Sequence, residues 1–356
     1  MIIGVPREIR MLEGRVGLIP AAAGQLVMQG HKVLVEQSAG VLSGYSDDAY
    51  RAVGVVLVED AAAVYGQAEM VVKVKEPQQE EVAMLCEGQL LFSYLHLAAE
   101  PELMRGLQKS GSTAVAFETV ETDDHQLPLL APMSDIAGRV AVQVGTHLLH
   151  QPQGGRGILL GGVPAAERGS VVVVGAGVAG GNAALLAAAM GAEVTVFDLN
   201  RDKLAQMRAL GNNVTGLHPY PDALREAALN ADLLIGAVLV TGERAPHLVD
   251  ADTVAGMREG SVIIDISVDQ GGCIETTRPT DYTNPTFMVD GVIHFGVTNM
   301  PGAVPRTASQ ALSAVLTPYV SRLAREDWQQ DLALARGINV QNGEIVHPAL
   351  KPVALN

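Results

Sequence analysis

VVVVGAGVAGG, residues 171–181, runs from four valines straight into a cluster of glycines. The longer stretch 169–192 carries no charge, and its length alone would permit a membrane-spanning helix. The order of residue types argues otherwise. β-branched valines come first, glycines sit in the middle, and alanines follow, which reads as strand, tight turn and helix. Gly175, Gly177 and Gly180 fall in GxGxxG spacing. In that spacing Gly175 permits the turn, Gly177 lets the backbone approach a pyrophosphate, and Gly180 lets the helix pack closely on the sheet. The helix N-terminus offers N–H groups and a positive dipole end to phosphates. The next strand, EVTVFD (193–198), ends on Asp198. A carboxylate there accepts bonds from the adenosine ribose hydroxyls and repels a 2′-phosphate, which favours NAD over NADP. A glycine-rich turn with no ligand would not need strand, glycines, helix, strand and acid in that order.

On either side, strand and helix signals alternate. Upstream, MIIGV, HKVLVE, GVVLV, MVVKVK, QLLFSYL and STAVAFE read as strands, with short helices between them. Downstream, ADLLIGAV, SVIIDIS and VIHFGV continue the second series. Such alternation predicts parallel sheets with helices on both faces. A helix is expected from Ser134, with Ser134 as its N-cap, and another over roughly 307–325. If both bridge the lobes, the second block is an insertion into the first. The expected fold class is therefore α/β, with two Rossmann-like doubly wound parallel-sheet domains and a cleft between them. The expected domains are a substrate or catalytic domain, 1–128 plus 307–356, and an NAD-binding domain, 129–306.

Composition bounds the function. The chain has 356 residues, enough for about two domains. Hydrophobic residues make up 48% and charged residues 18%, which suits large folded cores. A net charge of −15 argues against non-specific nucleic-acid binding and against an anionic membrane surface. The start, MIIGVPREIR, does not read as a signal peptide. Two cysteines far apart, with no CxxC, make a disulfide framework unlikely, so a reducing cytoplasm is the expected location. His147 and His150 lack a third ligand, and no metal site is expected.

Several polar residues fall where parallel sheets bind ligands, just beyond the carboxyl ends of strands. Arg15 follows the first strand, Lys75 ends the fourth and His96 follows the fifth. Arg15 can fork onto a carboxylate. Lys75 can pair with a carboxylate or polarise a carbonyl oxygen, and His96 can exchange a proton near neutral pH. Taken singly, each has a plain structural explanation: a surface arginine, a snorkelling lysine, a satisfied histidine. Their matching positions favour function. Lys73, on the same strand face as Lys75, is expected to be structural or ion-paired. In the second block, DISVDQGGC (265–273) puts Asp265 and Asp269 at a strand end, and VTNM (297–300) puts Asn299 and Met300 beyond another. Asp269 is the candidate to activate water or accept a proton.

These stretches together resemble the alanine dehydrogenases of bacteria over nearly the whole chain. The resemblance rests on GVPREIR (4–10), EGRVGLIP (13–20), VVKVKEP (71–77), LFSYLHLAA (91–99), APMSDIAGRVAVQVG (131–145), DISVDQGGCIETTRPT (265–280) and NMPGAVPRTAS (299–309), besides the glycine turn. It implies NAD-dependent, reversible conversion of L-alanine to pyruvate and ammonium. It implies substrate contacts from Arg15, Lys75 and Asn299, and catalytic roles for Lys75, His96 and Asp269, the last two moving protons. Cofactor contacts would fall on Ser134, Gly175, Gly177, Val178, Ala179, Gly180, Asp198, Lys203, Val238, Leu239, Ile266, Ser267, Val268, Arg278, Val297, Thr298 and Met300. A homohexamer is implied as well, with small molecules as the other partners and neither nucleic acid nor membrane. The family's serine near the adenosine falls at Pro219 here. The rival within this fold is the NAD(H)-binding subunit of a proton-translocating transhydrogenase, which carries a different pair where this chain has KEP (75–77).

Overall fold

The structure is a computed structural model and describes residues 1–238 and 246–351. The cofactor contact expected at Leu239 lies outside the described residues. The chain divides into two compact units, one of residues 1–133 with 302–356, the other of residues 134–301.

The first unit opens with β1 (Ile2–Val5), β2 (Lys32–Glu36), β3 (Val56–Val58), β4 (Met70–Val72), β5 (Leu90–Ser93) and β6 (Thr113–Ala116). They lie side by side in the order β3-β2-β1-β4-β5-β6, all parallel. The second unit has β7 (Ser170–Val174), β8 (Glu193–Phe197), β9 (Val214–Leu217), β10 (Leu233–Gly236), β11 (Val262–Asp265), β12 (Thr286–Val289) and β13 (Val292–Phe295). Its order is β9-β8-β7-β10-β11-β13-β12. In each sheet the strand order reverses beside the first strand, between β1 and β4 and between β7 and β10. That reversal leaves a crevice at the strands' carboxyl ends, where doubly wound sheets take ligands.

The strands are short and apolar because helices cover both faces. Val171 to Val174 are all buried, as are Leu233 to Ile235 and Val262 to Ile264. Of these, Val172, Val174, Leu234 and Ile263 face one side of the sheet and meet Leu224, Ala228 and Val254 in one core. In the first unit Val71, Leu91 and Ala114 pack with Leu103 and Leu107 of the helix Pro101–Ser110. The uncharged stretch resolves into β7, a turn and the helix Val178–Ala189. Among the described residues no helix is long and apolar enough to cross a membrane.

The sheets are mostly, not wholly, parallel. The C-terminal segment adds β14 (Ile338–Gln341), antiparallel to β6, and then β15 (Glu344–Ile345). β12 is likewise antiparallel to β13. Both hairpins turn on two residues with positive φ, Asn342-Gly343 at 51° and 79° and Asp290-Gly291 at 48° and 79°. Two such residues in succession suit the right-handed twist of paired strands. One correction concerns Ser134. The helix runs Ala131–Leu148, so Ser134 lies in its first turn and is not its N-cap. Pro132 explains the earlier start, because proline is at home in a helix's first turn.

Candidate active and cofactor sites

In the first unit, β1, β4 and β5 are neighbours, and the segments leaving their carboxyl ends carry Arg15, Lys75 and His96. The sheet therefore brings the three to one edge, as their positions in the sequence suggest. A concavity of about 250 Å3 opens beside Arg15, lined by Glu8, Glu13, Arg15, Ser38, Val41 and Leu42.

Arg15 is buried, and its fork is already engaged. Its Nε donates to Glu13 Oε1 at 2.7 Å and its Nη2 to Glu13 Oε2 at 2.6 Å. Its Nη1 points at Met133 Sδ, 3.3 Å away. A bidentate pair of this kind fixes the guanidinium plane. Burial pulls the guanidinium pKa down, and Glu13, bonded and opposite in charge, more than reverses this, holding it above its ordinary value.

The two lysines of VVKVKEP part company. Lys73 is buried, and its Nζ donates to Glu81 Oε2 at 2.8 Å with Glu8 Oε2 at 3.5 Å. Burial disfavours its charge, but the two carboxylates outweigh that and raise its pKa. Lys75 lies beyond it, half-buried, with its backbone N–H 3.4 Å from Glu8 Oε2. Glu8 also accepts from Val74 N at 2.6 Å. Burial lifts the pKa of Glu8, and Lys73 offsets this only in part. Glu8 thus pins the backbone that delivers Lys75. Next to it, Glu76 pairs with Arg10.

His96 is exposed, and its backbone takes a left-handed conformation, φ 49°. Such a backbone is held only when its surroundings impose it. Glu118 supplies that hold, accepting from His96 N at 2.6 Å and from Leu95 N at 3.1 Å. The imidazole lies parallel to the Tyr94 ring, 5.9 Å between centroids, and Tyr94 is itself tethered by its hydroxyl to Leu129 O at 2.6 Å. Glu13, Glu8, Glu118 and Tyr94 were not singled out from the sequence. The strand-end rule that found His96 would also have found Glu118, which follows β6.

In the second unit, the glycine turn fits a dinucleotide. A Cβ on Gly180 would come 1.8 Å from Gly175 O, and Gly175 itself has φ 101°. A Cβ on Gly177 would meet nothing within 4 Å, so its backbone faces open space that a phosphate can enter. Val178 and Ala179 begin the helix that follows. The helix Ala131–Leu148 passes so close to it that a Cβ on Gly138 would lie 2.1 Å from Ala179 O. Ser134, one turn before Gly138, lies on the same helical face. Asp198 accepts from Ala176 N and from Asn200 N, each at 2.7 Å, one bond per oxygen. Each oxygen keeps a lone pair for a ribose hydroxyl. Lys203 is exposed one turn further on.

The remaining candidates ride on the carboxyl ends of β10, β11 and β13. Val238 follows β10, and Ile266, Ser267, Val268 and Asp269 follow β11. Asp265 organises that loop from beneath. Fully buried, it accepts from Ser267 N and Cys273 N at 2.9 Å and from Ile274 N at 3.2 Å. Burial lifts its pKa even against those bonds. Asp269 sits exposed on the short 3-10 turn Val268–Gln270 so formed. Val297, Thr298, Asn299 and Met300 follow β13, with Asn299 in the left-handed region at φ 61°. Arg278 is exposed, stacks over Phe287 and lies against Gly296. Among the described residues no cluster could hold a metal ion.

Two family descriptions match the chain: "Alanine dehydrogenase/PNT, N-terminal domain" over residues 4–137 and "Alanine dehydrogenase/PNT, C-terminal domain" over residues 141–348. An alanine dehydrogenase of Halomonas elongata is 49% identical, covering 98% of this chain and 96% of that protein. One from Bacillus subtilis is 47% identical, covering 98% and 94%. A solved L-alanine dehydrogenase superposes with a TM-score of 0.96 at 50% identity, covering 99% of both chains. A transhydrogenase from Sinorhizobium meliloti shares the fold, with a TM-score of 0.85 at 24% identity over 98% of this chain and 100% of that one. The two matched descriptions and the high identity along almost the whole length lead to one conclusion: the chain belongs to the alanine dehydrogenase/PNT family.

Proposed function

We propose that this protein is an NAD-dependent amino-acid dehydrogenase that converts L-alanine and water reversibly to pyruvate and ammonium. The observation that carries the reading is the alignment of Arg15, Lys75 and His96 at the carboxyl ends of adjacent strands, in a chain 49% identical to a curated alanine dehydrogenase. The first unit serves the substrate and the second the cofactor. Gly175, Gly177, Gly180, Val178, Ala179 and Ser134 hold the pyrophosphate end, and Asp198 and Lys203 the adenosine end. Val238, Ile266 to Val268, Arg278, Val297, Thr298 and Met300 hold the rest. NAD⁺ held by these residues would supply the hydride acceptor for Cα of alanine, and NADH the donor in reverse.

The residues do the remainder. Arg15, its plane set by Glu13, receives the substrate carboxylate. Lys75 pairs with the carboxylate and with the carbonyl oxygen that forms, and Asn299 assists in holding the substrate. The substrate ammonium first gives up one proton, and loss of hydride from the resulting amine leaves an iminium on the substrate. His96 and Asp269 take a proton from the attacking water and deliver one to the departing amine. The four-way proton balance closes with one proton released: L-alanine, NAD⁺ and water give pyruvate, ammonium, NADH and H⁺. A homohexamer in the cytoplasm is the expected setting.

An NADH-absorbance assay tests this. L-alanine with NAD⁺ should produce NADH, pyruvate with ammonium should consume it, and NADP⁺ should be a poor substitute. Lys75→Ala and His96→Ala should each lower kcat by at least ~100-fold, the usual contribution of a positioned acid or base, while NADH still binds. Absence of turnover by the parent chain in both directions would sink the proposal, and near-normal turnover by either variant would remove that residue from the mechanism.

A further inference from the structure

We propose that His-Pro-Tyr-Pro, residues 218–221, is an adenine-stacking platform, with the Tyr220 ring as the face that receives the base. This deepens the NAD reading and rests on it. The strand order supplies the direction. The glycine turn leaves β7, Asp198 leaves β8, and the segment 218–221 leaves β9, the next strand outward. A dinucleotide with its pyrophosphate at the turn and its ribose at Asp198 must carry its base beyond Asp198, toward the end of β9. The two strand ends are directly joined, because Asp198 N donates to Leu217 O at 3.3 Å.

Several details mark Tyr220 as built for a ligand. It occupies the N-cap of the helix Pro221–Asn230 but makes no capping bond, where serine, threonine, aspartate or asparagine would ordinarily stand. Tyr220 is 66% exposed, and Leu199, just past β8, and Leu217, the last residue of β9, are exposed apolar residues too. The backbone is nonetheless stiff. Proline on both sides fixes φ at 219 and 221, and Pro221 confines Tyr220 to the extended region, where it sits at φ −64° and ψ 136°. The His218 ring contacts the Tyr220 ring, 4.6 Å between centroids and tilted by 58°, which limits how the tyrosine can turn. A rigid, exposed aromatic loses little freedom on stacking, and stacking tolerates a purine without reading its edges.

The test measures binding, not turnover. Three probes are titrated against the full chain: NADH, ADP-ribose (which lacks nicotinamide), and reduced nicotinamide mononucleotide (which lacks adenosine). Tyr220→Leu should weaken ADP-ribose and NADH about tenfold, within the range found for one stacked base, and leave the mononucleotide unchanged. Tyr220→Phe should bind like the parent. In proton NMR, the adenine H2 and H8 signals should move upfield on binding to the parent and lose that shift with Tyr220→Leu. Unchanged ADP-ribose affinity in Tyr220→Leu would overturn the platform while leaving the NAD reading intact. So would an equal loss for the mononucleotide, which would mark a general fold defect. A parent chain that binds none of the three probes would overturn the NAD reading and the platform with it.

Discussion

Lys73 and Lys75 are expected on one strand face, but β4 ends at Val72 and both lie in the segment leaving it, where their surroundings separate them. Lys73 is 1% exposed and bound between Glu8 and Glu81. Such a pair contributes little against a well-packed apolar substitute, but removing one partner strands buried charge. Lys73→Met should therefore lower stability by ~3–5 kcal/mol near pH 8. The pH dependence follows from the carboxylates left behind. Burial already lifts Glu8 above its ordinary value, and without the lysine Glu8 rises further. A carboxyl raised in the folded state adds stability that is fully present below its unfolded pKa and is lost as pH rises through the folded one. The deficit of the variant should thus be largest at pH 8 and shrink toward pH 5. Thermal unfolding midpoints of parent and variant across that range check it, and a deficit that stays flat would mean the two glutamates are not left charged and unpaired. Lys73 itself, raised by both carboxylates, adds stability that persists until the pH passes its folded pKa, above its ordinary value, so it contributes no slope of its own in this window.

At the level of elements, the strand–turn–helix from Ser170 to Ala189 is held by contact rather than by hydrophobic area. Gly180 touches the backbone of Gly175, and no side chain fits there. Gly180→Ala should open the turn, abolish measurable NADH binding and lower the unfolding midpoint, overpacking at such sites costing ~1–3 kcal/mol. Gly177→Ala should fold normally, since a Cβ there meets nothing, and lose cofactor affinity only by obstructing its approach. Calorimetric titration with NADH alongside a thermal melt separates the two, and a Gly177→Ala protein as unstable as Gly180→Ala would contradict the geometry. This element was legible in the sequence because each glycine has its own steric reason. The β12–β13 and β14–β15 hairpins were legible in principle, from Asp290-Gly291 and Asn342-Gly343, but their outer strands, β12 and β15, are short, half-exposed edges. β9, which contains a glycine and only two buried or half-buried positions, gave no clear strand pattern. The site shows the same division. Strand-end position exposes Arg15, Lys75 and His96, whereas Glu13 and Glu8 act through buried bonds that only the fold creates.

On the scale of the whole molecule, the first unit is completed by chain that returns after the second, and that returning chain fastens the Arg15 segment. Ser309 and Ser313 lie buried on the helix Pro305–Leu323. Ser309 Oγ accepts from Val16 N at 3.0 Å and meets Ser43 Oγ at 2.8 Å, while Ser43 Oγ donates to Gly14 O at 2.7 Å. Ser313 Oγ accepts from Ile19 N and donates to Gly17 O, both at 3.0 Å. The backbone on both sides of Arg15 is therefore tied to a helix nearly three hundred positions away (|i−j| 293 and 294). Ser313→Ala leaves Ile19 N–H and Gly17 C=O buried without these partners, a loss of ~1–3 kcal/mol. Its functional effect should be selective. Arg15 would be held less firmly, so KM for L-alanine should rise while NADH affinity, which depends on the other unit, stays as in the parent. Ser313→Thr keeps the hydroxyl and should restore much of the KM. Steady-state kinetics and an NADH titration on the three proteins decide the point. A Ser313→Ala protein with a lower melting midpoint but an unchanged KM would show that the returning helix stabilises the unit without positioning Arg15.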